Sequence, residues 1–92
     1  MDRRANIEQK LRVELQAAFV EVEDESHLHV GHEGAKSGGG HYRATIVSAR
    51  FEGLSKLAAQ RLVYQTLSEE MQGEIHALSM TTFTPEQWAK RS

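Results

Sequence analysis

Five histidines are spread unevenly through 92 residues. His27, His29, His32 and His41 lie in or beside a glycine-rich stretch, and His76 stands alone nearer the C-terminus. Neutral imidazole is a good ligand for borderline metals, so these side chains have the most chemistry to offer. Cysteine is absent. That excludes disulfides and thiol chemistry, and leaves His, Asp and Glu as the metal ligands this chain has by itself. The spacing His27-x-His29-x-x-His32 does not define a site alone. A tetrahedral centre needs four groups held at about 2 Å, with hydrogen bonds behind them to orient the rings. Gly38-Gly39-Gly40 is a poor scaffold for that. The plainer reading of His27 and His32 is exposed loop histidines. His41, starting a strand beside Tyr42, reads as structural, and His76, taken by itself, as a hydrogen-bonded core or edge residue.

Other charged groups suggest less. Glu21, Glu23, Asp24 and Glu25 put four acids within five positions, but side chains that mostly point one way along a strand make a solvated face rather than a converging cation site. Lys36, Arg43, Arg50, Lys56 and Arg61 are candidate phosphate contacts. Two or three such contacts give weak, salt-sensitive binding to nucleic acid, and a formal charge of −2 adds no general attraction. Gly31-His32-Glu33-Gly34 has the GxxG form of a backbone clamp. It lies between two strands rather than two helices, however, and puts Glu33 where phosphate would sit. No Gly-x-Ser-x-Gly, P-loop or paired-carboxylate arrangement is present, and a small domain without a deep pocket makes a poor enzyme.

The elements that must position these residues centre on the run from His41 to Met71. Tyr42, Ala44 and Ile46 alternate with Arg43, Thr45 and Val47, the two-residue period of a strand. Gly53 allows a sharp turn after Phe51, and Ser55 caps a long helix. Leu57, Ala58, Leu62, Leu67 and Met71 form its expected apolar stripe, with Gly73 as its terminator. Before this unit, a first helix starts at an Asn6 cap or a few residues earlier, with the stripe Ile7, Leu11, Leu15 and Ala18. Val20, Val22 and Asp24 then alternate with Glu21, Glu23 and Glu25 as a half-buried strand. After it, Glu74–Thr82 returns as a strand. Its apolar residues on both faces predict an inner position, with His76, Leu78 and Met80 sharing one face. Thr84, Pro85 and Gln87 start a short helix that carries Trp88.

The length suits one small domain over residues 1–92, with residues 1–5 expected to be disordered and 26–40 to be a mobile loop. The order helix, strand, strand, helix, strand, helix predicts an α+β fold. The first two strands form a hairpin, the helical crossover makes the second and third parallel, and helices cover one face of a three-stranded mixed sheet. No apolar run approaches the roughly 20 residues of a membrane span, and no secretory leader is evident, so the cytoplasm is the expected location.

Phe51-x-Gly53, Arg61-Leu62-Val63-Tyr64, Ile75-His76-Ala77-Leu78 and Thr84-Pro85-x-x-Trp88 resemble, in order and spacing, the signature of the BolA family. The likeness runs from about Ile7 to Trp88. One departure stands out: the family's usual Arg-His-Arg before Leu-Val-Tyr reads Ala59-Gln60-Arg61 here. The resemblance implies a fold like a KH domain of the second topological type. It also implies an adaptor that pairs with a monothiol glutaredoxin around a shared two-iron, two-sulfur cluster, in cluster trafficking or iron and redox signalling. In that arrangement His76 supplies one imidazole and His29 the other, with His27 and His32 as substitutes. Glutaredoxin and glutathione bring the thiolates, so the isolated chain, a monomer or weak homodimer, holds no cluster. Arg61 and its neighbours help contact the partner. The rival function implied is that of a DNA-binding regulator of stress response and morphology, with Arg43, Arg50, Lys56 and Arg61 as contacts.

Overall fold

The computed structural model describes residues 3–26 and 40–91. Helix α1 (Arg3–Glu14) forms because Ile7 and Leu11 recur one turn apart and bury, with Leu15 completing the stripe just past its end. It begins at Arg3, the earlier of the two expected starts, and not at an Asn6 cap. Arg4 donates to Glu8 one turn on (3.0 Å) and to the Val22 carbonyl (3.4 Å), which holds the first turn in place. The stripe also stops early. Gln16 takes a left-handed conformation (φ 48°) and turns the chain away, leaving Ala18 exposed rather than buried.

Strands β1 (Phe19–Asp24), β2 (Gly40–Val47) and β3 (Ile75–Phe83) make one sheet in the order β1-β2-β3. β1 runs antiparallel to β2 and β3 parallel to it, the mixed sheet that the element order predicts. Val20 and Val22 of β1, and Tyr42, Ala44 and Ile46 of β2, share the core with Ile7, Leu11 and Leu15. β3, expected inside, is an edge strand. Gly40, expected to close the loop, is instead the buried first residue of β2. A Cβ there would lie 2.6 Å from the Tyr42 ring, so only glycine fits without moving that ring.

Helix α2 (Lys56–Thr66) starts where the Ser55 hydroxyl accepts the Ala58 N–H (3.0 Å). Its buried residues, Ala59 and Val63, are followed by Leu67 at the same four-residue step; Leu57, expected in the stripe, is 56% exposed. The helix ends at Thr66, well before Gly73. A 3-10 turn (Glu70–Gln72) follows, and there Glu70 receives two hydrogen bonds from Lys10 (3.0 and 3.1 Å), fastening α1 to the end of the crossover. This hydrogen bond is the main reason the Lys10 ammonium is held above its ordinary pKa.

Helix α3 (Pro85–Lys90) begins in the expected capping box between Thr84 and Gln87. Trp88 stacks on Phe19 (5.0 Å) and meets Phe83 edge-on (5.1 Å). Register places Phe19, Val47 and Phe83 side by side on the sheet face away from the core. While α1 and α2 cover the core face, α3 therefore roofs one end of the other face, and Val47 beneath it is 0% exposed.

Ser48 joins these parts. It is fully buried; its hydroxyl donates to the Leu15 carbonyl (2.7 Å) and accepts the Arg50 N–H (3.0 Å), while its own N–H donates to the Phe83 carbonyl (3.0 Å). Ser48→Ala should lower unfolding free energy by about 1–3 kcal/mol, because the Leu15 carbonyl loses its buried donor. Gln16→Gly should raise it by up to about 1 kcal/mol, since a left-handed backbone penalises a side chain by more than glycine's added chain entropy. Urea denaturation of the two variants beside the wild type reads both changes.

Candidate histidine site at the edge of the sheet

The pairing of β2 with β3 is regular except at its start. Gly40 lies opposite Ile75, but His41 lies opposite Ala77, so His76 is one residue more than the ladder requires. This is a bulge, a device that re-aims a side chain and is rare in parallel pairs. It settles what strict alternation could not. Ile75 and Leu78 have opposite parity, yet Ile75 is buried in the core and Leu78 packs against it. One out-of-step residue between them permits both. It also accounts for the apolar residues that suggested an inner strand. His76 is consequently exposed instead of sharing the face of Leu78 and Met80.

The bulge turns the His76 ring toward His41. The two ring centroids are 5.1 Å apart with planes tilted by 41°. His41 is half-buried and its backbone is held on the hairpin side: the N–H donates to the Ser26 hydroxyl (3.1 Å) and the carbonyl accepts the Glu25 N–H (2.8 Å). Ser26 is itself fixed by an Asx-type bond from its N–H to the Asp24 carboxylate (2.9 Å). A half-buried imidazole on a well-held backbone thus faces an exposed one, at the corner where the chain leaves after Ser26 and returns at Gly40. The structural reading of His41 holds for its backbone but misses its ring. The signal was available, because parallel strands begin at the same end of a sheet and so bring the starts of β2 and β3 together. The bulge had no such signal.

His29, the expected second ligand, and its substitutes His27 and His32 lie outside the described residues, as does Lys36. Among the described residues, no three of His, Asp and Glu converge closely enough to hold a metal ion. Two imidazoles with no thiolate on the same chain suit half of a coordination shell, with the remaining donors coming from elsewhere.

The cationic candidates do not gather. Arg43 lies on the sheet face away from α1 and α2, and pairs with Glu25 (3.4 Å). Arg50 sits in the 3-10 turn Ala49–Phe51 and donates to the Gln16 side-chain amide oxygen (3.5 Å). Lys56 and Arg61 are exposed on α2, but five residues of helix separate their directions by about 140°. Among the described residues, no helix is long and apolar enough to cross a membrane.

Known proteins agree with this architecture. A family model described as BolA-like protein matches residues 11–87. The "DNA-binding transcriptional regulator BolA" of Haemophilus influenzae is 44% identical over 82 residues, which cover 89% of this chain and 77% of that protein. The solved BolA domain of SufE1 from Arabidopsis thaliana superposes with a TM-score of 0.82 at 37% identity, over 94% of this chain and 95% of that one. The solution structure of yeast Fra2 gives a TM-score of 0.67 at 28% identity, over 97% and 86%. With the motifs, the strand order and the sequence match all in agreement, this chain belongs to the BolA family.

Proposed function

We propose that this BolA-family chain is an adaptor that completes a two-iron, two-sulfur cluster together with a monothiol glutaredoxin and glutathione. The observation that carries the reading is the bulge, which presents His76 to solvent and sets it ring-to-ring with His41. His76 gives one imidazole. The second comes from His29, as the family resemblance implies, or from His41, which already stands beside His76. A cluster bound by imidazole and thiolate together has a higher potential than one bound by four thiolates. Imidazole ligands also compete with protons, so binding weakens as pH falls. The chain's own part is to hold His41 by its backbone and to expose His76 beside it.

The test is to mix the protein with cluster-loaded monothiol glutaredoxin and glutathione and to follow the visible absorption and circular dichroism. Wild type should change the glutaredoxin spectrum and His76→Ala should not. If wild type also leaves the spectrum unchanged, the reading fails. Of His29→Ala and His41→Ala, the variant that abolishes the change identifies the second ligand. His76→Ala should remain within about 0.5 kcal/mol of wild type in urea denaturation, as expected for an exposed residue outside the ladder. A spectroscopic loss therefore reports chemistry rather than unfolding.

A second reading, DNA binding, is favoured by the regulator name of the Haemophilus influenzae relative. Because Lys56 and Arg61 point about 140° apart, one of them reaches phosphate at a time, and log affinity for duplex should fall with log salt at a slope of about −0.9. Lys56→Ala with Arg61→Ala should remove it. An absence of binding at low salt eliminates this reading.

A further inference from the structure

Thr82 is a polar residue in a place that does not require one. It lies on the core face near the C-terminal end of β3, opposite Ile46, and is only 8% exposed. Its hydroxyl makes no hydrogen bond to any described residue, yet the oxygen is not sealed from solvent. Thr82 lines a recess of about 90 Å³ formed with the start of α2 and the start of α3. The floor includes Phe51 and Ala59; Ser55, Lys56 and Gln87 stand around it.

These surroundings are donors. α2 is eleven residues long, and its N-terminus carries partial positive charge. The Ser55 hydroxyl already serves the Ala58 N–H, whereas the backbone N–H groups of Ser55 and Lys56 have no acceptor among the described residues. The Lys56 ammonium has no carboxylate within ion-pair distance among the described residues. Gln87 uses its carbonyl oxygen to accept the Thr84 N–H (2.8 Å), which leaves its amide hydrogens to donate. No carboxylate lines the recess, and neighbouring Glu86 is engaged by Lys90 (2.9 Å).

We propose that this recess binds a small phosphate, either the free ion or the terminal group of a phosphate monoester, held by the Thr82 hydroxyl, the Lys56 ammonium and the first N–H groups of α2. Backbone N–H groups at a helix N-terminus suit that charge and geometry. A recess of about 90 Å³ suits a group that ends there better than a nucleic-acid phosphodiester, which has to pass through. The site is separate from the histidine pair: six residues of strand, about 20 Å, divide Thr82 from His76 along β3.

The test is an amide NMR titration of the full chain with inorganic phosphate against chloride at matched ionic strength and pH, repeated with glycerol phosphate. Saturable shifts centred on Ser55, Lys56 and Thr82 are expected with inorganic phosphate. Retention of those shifts with glycerol phosphate identifies a monoester site, and their loss identifies a site for the free ion. Thr82→Val keeps the side-chain shape and should weaken binding about tenfold, as should Lys56→Ala, whereas Thr82→Ser should restore it. Spectra unchanged away from the recess will confirm that the variants fold. Non-saturating shifts, wild-type affinity in Thr82→Val, or shifts produced by duplex DNA but not by inorganic phosphate would overturn the proposal.

Discussion

The buried hydroxyl of Ser48 is the constraint from which the arrangement follows. The residue stands where four pieces of chain meet: the end of α1, the end of β2, the 3-10 turn and the end of β3. Three of those pieces leave backbone groups pointing inward, away from water. An alanine there would leave the Leu15 carbonyl without a donor in a region where an unmade hydrogen bond is expensive. With that junction closed, the strand ends are level, and the crossover can return β3 beside β2 in the same direction.

Fixing one end of a parallel pair gives the opposite end its freedom. At the Val47 and Phe83 end the two strands are in step and roofed by Trp88. At the Gly40 and Ile75 end they are out of step by one residue, and that residue is His76. Its side chain contributes nothing to the core, and its neighbours Ile75 and Leu78 are both retained there. The fold thus keeps its packing while presenting an imidazole, and the adjacent His41 is steadied by hydrogen bonds that belong to the hairpin.

Much of this was legible in the residues. Alternation along Tyr42–Val47, the caps at Ser55 and Thr84, and the order of elements were enough for the hairpin, the parallel crossover and the mixed sheet. Periodicity erred where two apolar stripes competed. On α2, Leu57 is as apolar as any core residue, but Ala59 and Val63 face the sheet, and small residues there let the helix approach. The expected run of helix to Gly73 ignored Glu70, whose bond to Lys10 depends on a residue sixty positions away. The site was half legible. The resemblance picked out His76, while the bulge that exposes it arises from pairing, and pairing between distant strands leaves no mark in a local pattern.

Gly40 has a consequence beyond its own contact. With the Tyr42 ring directly over it, and with Ser26 tied back to Asp24, both described ends of the hairpin connection are anchored. Lengthening such a connection adds only about 0.6 kcal/mol for each doubling. Insertions between Ser26 and Gly40 should therefore carry little penalty to the sheet. His41 and His76, which belong to the paired strands, move only if the strands do.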